Sequence, residues 1–318
     1  MNPLVRDYLQ LVRWANLLFL GVLVWVMNQW VAVPILNRAA FGPQVAWPLV
    51  LALALALMFI AAGGYVINDY FDVKIDRINR PDRVVVTRTV SRETAWRLSL
   101  VLSGVGVLIG LVVSVLLRSL PMGVLFVLVP GLLWFYSAAY KRLFMVGNLL
   151  IALLAALVPL MVAMLNVAQL QLRFSDLLPF TTLPRDLYAA LGAFALFAFL
   201  LTWIREIVKD LEDVNGDREL ECHSLPVVWG ERGTKIFVTL LIVLTLALIA
   251  YLWWAVLPFP HTWYSLSTRF ICLAVVIPLL GALWLLWAAA IPTDYRTCQQ
   301  LLKLVMFLGM LYSYCLNQ

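Results

Sequence analysis

Residues 46–83 read AWPLVLALALALMFIAAGGYVINDYFDVKIDRINRPDR, and the organisation of the whole chain turns on that stretch. Its first part, 46–67, is an apolar run as long as the roughly 20 residues a helix needs to cross a bilayer. Its second part opens at Asn68 and carries Asp69, Asp72, Asp76 and Asp82 among Lys74, Arg77, Arg80 and Arg83. With the helix continued from Asn68 at 3.6 residues per turn, Asp72, Asp76 and Asp69 fall about 40°, 80° and 100° around the axis. Four oxygen-bearing side chains then share one face at the mouth of a membrane helix. Pro81, which lacks an N–H and clashes with the preceding turn, is expected to end that helix, with Asn79 and Arg80 in the turn that follows.

Composition generalises the first half of this reading. Of 318 residues, 64% are hydrophobic and 13% charged, with a mean hydropathy of +0.95. An average soluble chain has about 45–50% and about 25%. So few charges cannot cover a soluble surface, so the chain is read as a polytopic membrane protein. Disorder, a secreted disulfide scaffold and a fibrous repeat are excluded on the same grounds. Apolar stretches at 15–33, 46–67, 98–117, 121–139, 146–166, 187–204, 236–257, 270–291 and 301–316 give nine expected crossings of a single domain, 1–318. Ahead of the first, residues 1–13 form an interfacial segment in which Leu4, Val5, Tyr8, Leu9 and Val12 alternate with Arg6, Asp7 and Gln10.

The net charge of +6 does not imply a nucleic-acid partner, because basic loops on a membrane protein have a topological origin. With the N-terminus cytoplasmic, 18 of the 23 Lys and Arg residues fall on one side, leaving Arg38, Arg118, Arg173, Arg185 and Arg269 on the other. The positive-inside rule then puts the N-terminus inside and, after nine crossings, the C-terminus outside the cell membrane. Only Asp176 and Asp186 of the 17 acids lie on the outer side, and topology gives carboxylates little reason to choose. Function must concentrate them.

A second acidic cluster continues the sixth expected span: Arg205-Glu206-Ile207-Val208-Lys209-Asp210-Leu211-Glu212-Asp213-Val214-Asn215-Gly216-Asp217. On a helix Glu206, Asp213 and Asp217 fall within about 60° of Asp210, though Asn215-Gly216 is a stop signal that would leave Asp217 in a turn. Stacked carboxylates raise one another's pKa, a cost that a divalent cation reverses. Mg²⁺ suits oxygen donors and typically takes a few carboxylates together with substrate phosphates. The basic residues Arg80, Arg83, Lys141, Arg142, Arg205 and Lys209 around the same mouths suit a diphosphate. Zinc is disfavoured. Cys222, Cys272, Cys298 and Cys315 are widely spaced, and His223 and His261 are the only histidines.

Asn68-Asp69-x-x-Asp72-x-x-x-Asp76 and Asp210-x-x-Asp213-x-x-x-Asp217 resemble the two acidic signatures of the UbiA superfamily of intramembrane prenyltransferases. The resemblance covers essentially the whole chain. It implies an all-α bundle of nine transmembrane helices around a central cavity, with two cytoplasmic Asp-rich loops at 68–97 and 205–235. It implies Mg²⁺ as cofactor and, as partners, an isoprenyl diphosphate donor, a lipid or aromatic acceptor and membrane lipid, with no obligate protein partner. By position, Asn68, Asp69, Asp72, Asp76, Asp210, Asp213 and Asp217 are carried over as catalytic residues, all but Asp69 also as metal ligands. Arg80, Arg83, Tyr136, Lys141, Arg205 and Lys209 are carried over to the diphosphate.

Tyr136-Ser137-Ala138-Ala139-Tyr140-Lys141-Arg142, followed by Gly147-Asn148, resembles the family's Tyr–Lys stretch. The surroundings of both motifs, with Ser224-Leu225-Pro226-Val227-Val228-Trp229-Gly230, look most like the digeranylgeranylglyceryl phosphate synthase branch. Its members transfer a geranylgeranyl group to a prenylated glycerol phosphate. One departure stands out: Val84-Val85-Val86 occupies the place of the family's usual Ser-Gly pair. Quinone-precursor and haem prenyltransferases of the superfamily are the nearest alternatives. A transporter is disfavoured because mid-span charges are missing, and a CDP-alcohol phosphatidyltransferase because its continuous Asp motif is not found. A non-catalytic isoprenoid binder is disfavoured by the intact motif pair.

Smaller features have structural readings. The tryptophans near span ends suit interfacial anchoring. Ser91 and Thr234 are expected to cap helices, residues 167–185 to form an interfacial segment, and Gly63-Gly64 to allow close helix packing.

Overall fold

The computed structural model describes residues 3–79, 84–256 and 265–316. Among these the structure is helical, with one isolated bridge between Val86 and Val90. A short helix α1 (Pro3–Leu11) lies within the N-terminal stretch 1–13. Eight helices follow that are long and apolar enough to cross a membrane: α2 (Trp14–Arg38), α3 (Trp47–Asn79), α4 (Arg92–Leu116), α5 (Leu120–Ala138), α6 (Val146–Phe174), α7 (Leu183–Glu219), α8 (Leu225–Ala255) and α9 (Leu266–Ala288). The last helix, α10 (Pro292–Cys315), corresponds to the ninth expected crossing. It is long enough but not among the eight, because Asp294, Arg296, Gln299, Gln300 and Lys303 break up its apolar surface.

The acidic segments are not loops. Asn68–Asn79 is the end of α3, and Arg205–Glu219 is the end of α7. At 33 and 37 residues these helices run about 50 and 55 Å, against a hydrocarbon core of about 30 Å. Each helix is thus about 20–25 Å longer than a crossing needs, and the acidic turns occupy one end of it. Helix α7 continues through Asn215-Gly216, so the expected stop there does not form and Asp217 is helical. Helix α8 begins at Leu225 rather than near residue 236, with a break at Gly230 (φ 73°). Thr234 is therefore inside a helix and donates back to the Gly230 carbonyl at 2.8 Å instead of capping. The expected interfacial segment 167–185 is helical to Phe174, with only a short 3₁₀ turn at Leu178–Phe180.

The chain forms two compact units, residues 1–141 with 157–192, and residues 142–156 with 193–318. In the first, α3 packs closely on α4 and α5 through small residues. A Cβ on Gly63 would lie 2.9 Å from the Ser99 carbonyl oxygen, and one on Gly64 2.8 Å from Leu133 Cδ1. Gly106 meets the Ala56 carbonyl oxygen at 2.7 Å in the same sense. Lipid supplies no hydrophobic drive between helices, so such close approach is what holds them together. Gly63→Val should push α3 off α4. Overpacking of this kind costs about 1–3 kcal/mol, read as a lower Tm in detergent; an unchanged Tm would contradict the packing. Ser91 does cap α4, accepting from the Thr94 amide at 3.1 Å.

Val84, Val85 and Val86 have a plain structural role. All three are buried, and Val85 and Val86 pack with Val90 against Leu11, Val66, Val73 and Ala95, so the segment after the first motif is fastened to α1, α3 and α4 by an apolar plug. Thr87, at φ 79°, turns the chain, and its amide donates to the Val90 carbonyl at 2.8 Å. Helix α2 widens to a π turn over Met27–Ala32 just before Pro34, and α9 does so over Ile271–Val276 before Pro278. A proline ring clashes with the carbonyl four residues back; a widened turn relieves that clash.

The second unit has its own core, in which Ile204, Ile207, Val208 and Leu211 of α7 meet Leu225, Val238, Leu279, Leu302 and Val305. Glu212, on the face of α7 away from Asp210, accepts from Arg296 Nε at 2.9 Å and from Gln299 Nε2 at 2.6 Å. These bonds fasten the acidic end of α7 to α10.

Candidate functional site

In the first unit the i, i+4 spacing does what helix geometry requires. Asn68, Asp72 and Asp76 succeed one another along one face of α3. The Asn68 amide donates from Nδ2 to Asp72 Oδ2 at 2.7 Å. The other Asp72 oxygen forms an ion pair with Lys141 Nζ, and both side chains are largely buried, at 13% and 15% exposure. Lys141 lies in a 3₁₀ turn, Tyr140–Arg142, immediately after α5. A run of edge-on and stacked rings, Phe71, Trp134, Phe135 and Tyr140, ties that turn to α3.

Asp69 stands apart from this arrangement. Arg13 donates to its Oδ1 at 3.0 Å and also lies 4.7 Å over the Tyr65 ring. Nothing in the local sequence of Arg13 marks a partner 56 residues away. Tyr136 is half-buried on α5. Arg80 and Arg83, with the expected helix end at Pro81, lie outside the described residues.

In the second unit, Glu206, Asp210, Asp213 and Asp217 share the expected face of α7. Glu206 and Asp217 are buried, at 7% and 8% exposure. Glu206 forms an ion pair with Arg205, so that guanidinium is already engaged. Lys209, Asp217 and Glu206 all lie within electrostatic reach of Asp210. Asp210 Oδ2 accepts from Asn148 Nδ2 of α6 at 2.7 Å. Asn148 follows the Tyr–Lys stretch, and a partner 62 residues away leaves no local signal in the sequence. His223 uses its backbone amide on the Arg142 carbonyl at 2.9 Å, and His261 lies outside the described residues.

Among the described residues no three Asp, Glu, His or Cys side chains are grouped closely enough to form a metal cage by themselves. The donors nevertheless fit Mg²⁺. They are hard oxygens from carboxylates and an amide, and Mg²⁺ commonly binds one or two carboxylates with the rest of its shell from water and substrate phosphate. Asp72 and Asp210 are each held by an amide, and each bonded oxygen keeps a further lone pair.

The sequence model of the UbiA prenyltransferase family matches residues 30–311. The chain belongs to the UbiA prenyltransferase family. Among curated relatives, the UbiA-family chain is 31% identical over 238 residues to the digeranylgeranylglyceryl phosphate synthase of Sulfolobus acidocaldarius, covering 75% of this chain and 74% of that one. It is 34% identical over 247 residues to the enzyme of the same name from Sulfurisphaera tokodaii, covering 75% and 77%. Among solved structures, a UbiA homologue from Archaeoglobus fulgidus bound to DMAPP and Mg²⁺ superposes with a TM-score of 0.61 over 98% of this chain and 99% of that one. At 14% identity that likeness concerns the fold. The protein is thus a multi-pass membrane prenyltransferase of the UbiA family.

Proposed function

We propose that this UbiA-family protein transfers a geranylgeranyl group from its diphosphate to the hydroxyl of a prenylated glycerol phosphate. The observation that carries the acceptor is the 31–34% identity, over three quarters of the chain, to relatives named digeranylgeranylglyceryl phosphate synthase. Asn68, Asp72 and Asp76 in one unit and Asp210, Asp213 and Asp217 in the other would hold Mg²⁺, with Asp69 close to the first set. When bound, the metal would supply a Lewis acid for the diphosphate oxygens.

The chain's own residues do the rest. Lys141 brings a buried positive charge beside Asp72, where negative charge grows on the departing diphosphate; Lys209, Arg205, Arg80, Arg83 and Tyr136 are further candidates for its oxygens. Fixed charges in a site of low dielectric stabilise that build-up without reorganisation. The allylic C–O bond breaks with its electron pair leaving on diphosphate. The acceptor oxygen forms the new ether bond, and its proton leaves with the diphosphate product. An apolar surround would keep out water that would otherwise capture the cation first.

The basic bias of 18 in 23 supports a cytoplasmic N-terminus, with Pro292–Cys315 as a ninth crossing and an external C-terminus. Metal removal tests the chemistry. Purified protein stripped with chelator should release no diphosphate from geranylgeranyl diphosphate, and Mg²⁺ should restore release. Undiminished release in chelator would contradict the reading.

A further inference from the structure

The two acidic motifs obtain the amide that holds a carboxylate in different ways. The first carries Asn68 one helical turn before Asp72, and its amide donates to the carboxylate at 2.7 Å. The second carries Glu206 one turn before Asp210. An ionised glutamate accepts but cannot donate, and Glu206 is moreover paired with Arg205. The donor comes instead from another helix: Asn148 Nδ2 reaches Asp210 Oδ2, also at 2.7 Å. Both distances are those of charge-assisted hydrogen bonds.

Asn148 is well placed for this. It sits in the first turn of α6, just past Met145, whose backbone is left-handed (φ 59°), and beside the buried Gly147. The start of α6 is fixed within its own unit by the His223 amide on the Arg142 carbonyl and by Phe144 against Trp229, ring centroids 5.6 Å apart. Asp210 also feels the like charges of Asp217 and Glu206. The amide takes one lone pair of Oδ2 and leaves the rest of the carboxylate in a set direction.

We infer that Asn148 is a positioning residue of the second acidic motif, holding Asp210, the first carboxylate of that motif, with an amide supplied from α6. This rests on the proposed role of Asp210 as a metal ligand. Partners that orient a metal ligand typically contribute 10–100-fold in metal affinity or activity.

The test is Mn²⁺ binding to the purified full chain with inorganic pyrophosphate, followed by electron paramagnetic resonance, on wild type, Asn148→Ala, Asn148→Asp and Asp210→Ala. Asn148→Asp keeps the shape, loses the donor and adds a like charge, so it serves if the alanine variant misfolds. The expected result is Mn²⁺ binding about 10–100-fold weaker in the Asn148 variants, with the apparent Mg²⁺ requirement of turnover raised more than kcat is lowered. A lower Tm with Mn²⁺ affinity unchanged in either Asn148 variant, while Asp210→Ala binds weakly, would overturn the inference alone. Wild-type Mn²⁺ affinity in Asp210→Ala would overturn the reading beneath it.

Discussion

Replacing Asp72 with asparagine is expected to lower turnover by about 10³-fold, roughly 4 kcal/mol of activation free energy, with the protein still folded and inserted. Asp210→Asn should do the same in the second motif. The size is that of losing a fixed group which stabilises charge only as it develops. Asparagine is the informative choice at 72 because of what surrounds that side chain. Alanine would strand the largely buried Lys141 ammonium without its carboxylate, and removing one partner of a buried pair costs about 3–5 kcal/mol. A dead Asp72→Ala enzyme could then simply be an unstable one. Asparagine keeps the shape and one oxygen, and removes the charge. The check is diphosphate release from a labelled prenyl diphosphate, alongside Tm in detergent. Turnover within a few-fold of wild type in either asparagine variant would remove that residue from the metal-site proposal.

The second large effect is expected at Lys141. Lys141→Met should raise KM for the prenyl diphosphate and lower kcat, together by about 10²–10³-fold in kcat/KM. The ammonium is positioned by a 3₁₀ turn and a chain of rings rather than by a flexible loop, so its charge is already in place when the leaving group forms. Arginine should rescue only in part, since a planar fork does not replace a compact point charge. Steady-state kinetics on the three proteins decides this. A methionine variant within about threefold of wild-type kcat/KM would show that Lys141 merely neutralises Asp72.

The parts of the molecule legible in the sequence are those governed by short-range periodicity. Of the nine apolar runs, eight fall in helices long and apolar enough to cross a membrane, and the spacing of Asn68, Asp72 and Asp76 was enough to place them on one face once the helix continued. Cap chemistry was legible at Ser91, where the hydroxyl has a local amide to accept from. It failed at Thr234, because packing carries α8 back to Leu225 and leaves that hydroxyl in a helix interior. The Asn215-Gly216 stop failed for a related reason. Glu212, bound by Arg296 and Gln299, and the buried Leu211 hold this part of α7 in place, and tertiary contacts override the weak local preference of two residues.

Partner choice was the least legible. Arg13 with Asp69 and Asn148 with Asp210 join residues 56 and 62 positions apart, and no periodicity in one segment reports on the other. The same holds for Val84-Val85-Val86. Its local sequence names no partner, yet the burial of Val85 and Val86 against Leu11, Val66 and Ala95 shows an anchor for the segment leaving the first motif. Sequence marked the acidic segments at the ends of two membrane-length helices. The structure supplies which neighbours hold each carboxylate.

The most direct test of prenyl transfer to a lipid phosphate is product formation by the purified protein in lipid. It would be given labelled geranylgeranyl diphosphate and Mg²⁺ with geranylgeranylglyceryl phosphate, 4-hydroxybenzoate, a dihydroxynaphthoate or haem as the acceptor. A Mg²⁺-dependent product whose mass equals the glyceryl phosphate acceptor plus one geranylgeranyl group, formed with that acceptor and not with the others, is the predicted result. A prenylated aromatic or haem product, with the glyceryl phosphate left unmodified, would contradict it.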